Sequence, residues 1–205
     1  MGAIDIGPGA IDRATTAAST FTWISIENAS NGAGYIDSFE IWAYSNLTGL
    51  KIGTFFGSGV SWDDRDYETI GNVTSGSKQT FTGKNCDVAT GDLLGTYHAS
   101  GFIERATSGG GGLLVLTGDQ FGTGAQTYTA AANHVYSVYA TGVEEAPTVT
   151  TQDCTSITSS NCVGNGNITE IGATRRGFCY VEGTSGDPTT ADSTAYDDGD
   201  FGIGA

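Results

Sequence analysis

Apolar and polar residues alternate most regularly between residues 21 and 44. Phe21-Thr22-Trp23-Ile24-Ser25-Ile26 and Tyr35-Ile36-Asp37-Ser38-Phe39-Glu40-Ile41-Trp42-Ala43-Tyr44 flank Asn31-Gly32-Ala33-Gly34, the pattern of two strands joined by a turn. In the second run a period of two sets Phe39, Ile41 and Ala43 on one face and Glu40, Trp42 and Tyr44 on the other. Further strands are predicted over 50–56, 79–81, 93–98, 113–116 and 135–140, separated by Gly57-Ser58-Gly59, Ser75-Gly76-Ser77, Thr90-Gly91-Asp92 and the glycines 109–112. No segment keeps apolar residues at helical spacing for three turns, so little helix is expected. Together these signals predict an all-β fold, with residues 20–142 forming a jelly-roll-type β-sandwich and a barrel as the alternative.

Two stretches fall outside that pattern. Residues 1–19 carry a small echo, Ala3-Ile4-Asp5 and Ala10-Ile11-Asp12, around Gly7-Pro8-Gly9. They read as an N-terminal arm: an ordinary first strand, a loose lead, or a strand lent to another subunit. At 143–147 the linker ending in Ala146-Pro147 closes the first domain, because proline ends strand pairing, and Thr148-Val149-Thr150-Thr151 opens a second one over 148–205.

That second domain carries a resemblance. Ala146-Pro147-Thr148-Val149-Thr150-Thr151-Gln152, Asn165-Gly166-Asn167-Ile168-Thr169-Glu170-Ile171-Gly172, Arg176-Gly177-Phe178-Cys179-Tyr180 and Gly186-Asp187-Pro188-Thr189-Thr190 follow one another as in the opening half of a bacterial or phage fibronectin type III-like module. The resemblance implies an immunoglobulin-like β-sandwich. Cys154 and Cys162 depart from it, standing where the family usually has small residues, and its later Gly-Leu-x-Pro turn and Tyr-rich strand are not found. A sandwich of this kind takes ~100 residues, so the domain is expected to be incomplete. Phe201-Gly202-Ile203-Gly204-Ala205 points the same way: it echoes Phe121-Gly122-Thr123-Gly124-Ala125, which leads into a strand-like ending. The N-terminal part resembles, more loosely, jelly-roll domains of environmental surface and virion proteins.

Composition narrows the function. The chain has 205 residues, 32 of them glycine, and 8 Lys+Arg against 23 Asp+Glu give a net charge of −15. So acidic a surface repels phosphate backbones, and the scattered basic residues form no groove, so nucleic-acid binding is not expected. No run reaches the ~18 apolar residues that a membrane helix requires. Met1-Gly2-Ala3-Ile4-Asp5 has neither a basic nor an apolar leader region, so the expectation is a mature or arbitrary start, or a protein that reaches the outside by another route, as a virion component released by lysis does.

Candidate chemistry is sparse. Cys154 and Cys162 flank a Thr/Ser-rich turn that sets them opposite one another in a hairpin, where a disulfide closing the loop would contribute roughly 2.5 kcal/mol; free thiols are the alternative. Cys86 and Cys179 are read as buried or inert, and no cysteine spacing suits zinc. His98 and His134 are read as surface residues in no catalytic or metal-binding pattern, and Glu40 has no partner carboxylate along its strand, so no enzyme activity, metal or cofactor is expected. The acidic runs 62–68 and 197–200 could offer loop oxygens to calcium but lack EF-hand spacing. Asn28, Asn46, Asn72 and Asn167 head N-glycosylation sequons.

Two functions follow as expectations. The first is a structural subunit of an extracellular filament, fibre or virion appendage, joined to copies of itself head to tail through β-strand or edge contacts, with the 1–13 arm as a candidate donor strand. The second is a carbohydrate-binding adhesion module that recognises surface glycans through Glu40, Trp42 and Tyr44.

Overall fold

The computed structural model describes residues 2–145 and the strand segments 149–155, 163–168, 173–180 and 193–201. The chain divides into two units, Met1–Glu145 and Ala146–Ala205. The described residues contain no helix, and the fold is all-β and antiparallel, of the sandwich type.

The first unit holds fourteen strands: β1 (Ala3–Ile6), β2 (Thr15–Ala18), β3 (Phe21–Ser25), β4 (Gly34–Trp42), β5 (Leu47–Ser58), β6 (Ser61–Val73), β7 (Lys78–Val88), β8 (Leu93–Tyr97), β9 (Phe102–Ala106), β10 (Leu113–Thr117), β11 (Gln126–Thr127), β12 (Thr129–Ala131), β13 (Val135–Tyr136) and β14 (Val138–Glu144). They form a four-stranded sheet in the order β1-β14-β4-β7, a seven-stranded sheet in the order β11-β6-β5-β8-β3-β10-β12, and a small sheet β13-β9-β2.

The seven-stranded sheet has an apolar face on each side. Leu50, Ile52, Leu94, Trp23 and Leu113 pack against Ile4, Ile6, Ile36, Phe39, Ile41, Val138 and Ala140 of the four-stranded sheet, making the main core. Phe55, Leu93, Ile24 and Leu114 point the other way, into a second core with Trp62, Phe121 and Tyr128. This two-sided burial explains the unbroken apolar runs Leu93-Leu94 and Leu113-Leu114-Val115-Leu116. The sheet curls around the second core and nearly closes: β11 pairs with β6, β12 pairs with β10, and the two are separated only by the buried Tyr128, whose N–H donates to Val60 O at 2.8 Å. Space for the rings comes from glycines. A Cβ on Gly95 would lie 2.5 Å from the Phe55 ring, and one on Gly53 would lie 2.6 Å from the Tyr67 Cβ. Thr96 and Tyr136 hydroxyls meet at 2.7 Å inside the main core, so the buried phenol does not go unpaired.

Residues expected as an arm are two strands of this unit. β1 pairs with β14 and β2 with β9, and Ile4 and Ile6 are fully buried. Donating 1–13 to a neighbour would strip these two side chains from this core, at roughly 1.5–3 kcal/mol each, a cost that a donor-strand contact would have to offset. Of the three readings of residues 1–19, the ordinary first strand is the one found; the Gly-Pro interruption left the others open because it separates Ile4 and Ile6 from any longer alternating run.

Both edges of the four-stranded sheet are closed by side chains. On β1, Asp5 N–H donates to Asn31 Oδ1 at 2.9 Å and Asn31 Nδ2 donates back to Ala3 O at 3.2 Å. On β7, the N–H of Asp87 donates to Asp66 Oδ2 at 2.9 Å and that of Asn85 to Glu68 Oε1 at 3.3 Å. Groups that would otherwise template another strand are thereby occupied.

The second unit contains β15 (Val149–Thr155) paired with β16 (Val163–Ile168), and β17 (Ala173–Tyr180) paired with β18 (Ser193–Phe201), both antiparallel. The Asp197-Asp198-Gly199-Asp200 run lies in β18, not in a loop. Cys162 and the Cys154 side chain lie outside the described residues, and with them the expected disulfide.

Candidate functional site: the outer face of the four-stranded sheet

Strand β4 places the site. Phe39, Ile41 and Ala43 are all fully buried, so Glu40 and Trp42 project from the opposite face, and Tyr44, in the bend after the strand, is 63% exposed. The alternation carries a shift at Asp37, where a bulge against both β7 and β14 lets Ile36 and Phe39, three residues apart, enter the same core.

Register extends this face across the sheet. Tyr139 of β14 and Thr80 of β7 stand opposite Glu40, Lys78 stands opposite Trp42, and Asp5 of β1 stands opposite Thr141 of β14. Lys78 Nζ donates to both carboxylate oxygens of Glu40 at 2.9 Å. Tyr139 is half-buried beside two carboxylates: burial first, then Asp5 and Glu40, raise its phenol above the ordinary value. The result is a shallow platform of two aromatic side chains and a tyrosine bordered by hydroxyls, two carboxylates and one ammonium.

Trp42 is held from behind by a residue that pattern reading did not single out. Glu104 of β9 is 5% exposed, accepts the Arg13 N–H at 2.5 Å, and lies near enough to the Trp42 side chain to feel its polar edge. Burial raises the Glu104 carboxyl, Asp12 beside it raises it further, and the Arg13 N–H and the nearby Trp42 indole pull the other way. No local motif announces Glu104. It reaches Trp42 because Ala43 bridges Ile103, bringing the start of β9 alongside the end of β4.

The remaining candidates are dispersed. His98, expected at the surface, is fully buried at the end of β8. Neither ring nitrogen has a hydrogen-bond partner, and burial pushes the ring down to about 4, with the nearby Gly101 backbone opposing this without completing a bond. His134 is half-buried, its Nδ1 3.2 Å from Arg105 Nη1. Cys86, in β7, is buried in the main core, its thiol pushed up to about 12, and both Cys86 and Cys179 are free thiols. The acidic run 62–68, read as a loop, is the body of β6: Trp62 enters the second core while Asp66 and Glu68 close the β7 edge. The described residues contain no group of three or more His, Cys, Asp or Glu arranged to hold a metal.

The sequons differ in use. The Asn28 amide donates to Gly7 O at 2.9 Å, and the Ser30 hydroxyl of the same sequon is buried on Gly32 O, so that site is built into the fold. Asn46 is exposed and its Oδ1 accepts from Ser75; Asn72 is exposed near the end of β6; the Asn167 side chain lies outside the described residues.

Comparison with protein-family models, with curated proteins and with solved structures finds no match to this chain. Among the described residues, no helix is long and apolar enough to cross a membrane.

Proposed function

We propose that this chain is a non-enzymatic extracellular module, carried on a cell surface or virion, whose first unit binds carbohydrate on the outer face of the four-stranded sheet. The observation that carries this reading is the full burial of Phe39, Ile41 and Ala43, which commits Glu40, Trp42 and Tyr44 to the solvent side. Trp42 and Tyr44 offer flat apolar surfaces to the C–H faces of a pyranose ring. The fixed Glu40–Lys78 pair offers an acceptor and a donor side by side to its hydroxyls. The test is a glycan array probed with the wild-type protein and with Trp42→Ala. Binding to a defined glycan set that falls away in the variant supports the reading, and an array with no Trp42-dependent signal overturns it.

A second reading, a subunit of a filament or fibre built from copies of the chain, is favoured by one observation. Among the described residues, the strands of the second unit form two two-stranded ladders, β15 with β16 and β17 with β18. Head-to-tail contacts would run through those strands, since side chains occupy edge groups on both sides of the first unit's four-stranded sheet. Electron microscopy of the purified chain distinguishes the two: ordered polymers favour the subunit, and a dispersed particle that still binds glycan favours the module. The fibronectin type III-like resemblance of residues 146–205 is compatible with either and remains part of the proposal.

A further inference from the structure

Building on the carbohydrate-binding reading, we infer that the platform selects uncharged sugars and rejects acidic ones such as uronic-acid oligomers. The argument is one of charge on the platform and beyond it. Glu40 and Asp5 flank Tyr139, while the only cation on the face, Lys78, is held by both oxygens of Glu40. An anionic sugar would therefore meet two carboxylates and an ammonium that is already neutralised.

The other lysines and arginines of the first unit are engaged elsewhere among the described residues. Lys51 is paired with Asp119 at 2.6 Å, Lys84 with Glu68 at 3.5 Å and Arg65 with Asp92 at 2.5 Å. Arg105 donates to Thr16 O and lies over the Trp23 ring, and half-buried Arg13 donates through Nη2 to Gly9 O at 3.4 Å. Against a net charge of −15, an acidic ligand would find on the platform no cation without a carboxylate partner to offset the long-range repulsion. A neutral sugar needs none: it stacks on Trp42, gives a hydroxyl proton to Glu40 and accepts a hydrogen bond from Lys78, which has a third proton to offer.

The test compares neutral gluco-oligosaccharides with polygalacturonate oligomers of equal length by calorimetric titration at low salt. The inference expects neutral oligomers to bind at least about tenfold tighter. It also expects Glu40→Gln, which releases Lys78, to weaken neutral binding and raise affinity for the acidic oligomers severalfold. Lys78→Gln should weaken neutral binding without admitting acidic oligomers, which separates charge from misfolding. Equal or tighter binding of the acidic oligomers by the wild type overturns the selectivity while leaving the binding face intact. Binding of neither class, with no effect of Trp42→Ala, removes the carbohydrate reading and the selectivity with it.

Discussion

Arg65 grips Asp92 by two bonds, Nε to Oδ2 at 2.5 Å and Nη2 to Oδ1 at 3.1 Å, and this pair fixes the turn between β7 and β8 to the face of β6. Asp92 is 3% exposed and also accepts the Ala89 N–H at 2.8 Å, while the Arg65 guanidinium lies 5.0 Å from the Phe56 ring centroid. Asp92→Ala leaves a charged group and a backbone donor without partners. It should destabilise the first unit by about 2–4 kcal/mol, the lower end applying because Arg65 is partly solvated. Urea unfolding checks this; Asp92→Asn, which keeps an acceptor for Ala89 N–H, should cost less.

Protonation of His98 should limit acid stability. The folded-state value is depressed to about 4 from the ordinary 6.5, so the unfolded chain takes up the proton first as pH falls. Stability contributed by the neutral ring is complete above 6.5 and is lost progressively as the pH drops toward 4, by up to roughly 3 kcal/mol. Melting temperature measured from pH 7 to pH 4 should fall less steeply in His98→Leu than in the wild type. Parallel curves would show that the ring does not titrate as described.

Removing the carboxylates that close the β7 edge should create association. In Asp66→Ala/Glu68→Ala, the Asp87 and Asn85 N–H groups lose their acceptors and face solvent as a strand template. Light scattering should then show concentration-dependent oligomers. Asp66→Asn/Glu68→Gln, which restores neutral acceptors, should remain as dispersed as the wild type.

These cases show where the sequence was readable. β4 was legible because one face meets water, so its polar and apolar residues alternate and place Glu40, Trp42 and Tyr44 correctly. β6 was not, because the carboxylates of Asp66 and Glu68 serve backbone donors of another strand, a partnership 17 to 21 residues away that no local pattern reveals. β1 was legible only as one of three readings because it is short, and His98 was hidden by the assumption that an imidazole at a strand end is solvated. The second core was likewise invisible: Phe121 sits in a glycine-rich loop whose composition suggests exposure, yet its ring packs 5.1 Å from Phe55 and 4.9 Å from Tyr67, centroid to centroid.

Carbohydrate binding on the platform is tested most directly by tryptophan fluorescence during titration with neutral oligosaccharide. Of the three tryptophans, Trp23 and Trp62 are only 7% and 9% exposed within the cores, so Trp42 is the ring that a ligand on the outer face would cover. The account predicts a saturable emission change with reduced acrylamide quenching, abolished in Trp42→Phe, whose affinity should fall by about tenfold, or ~1.4 kcal/mol. An unchanged spectrum and unchanged quenching at millimolar oligosaccharide would contradict it.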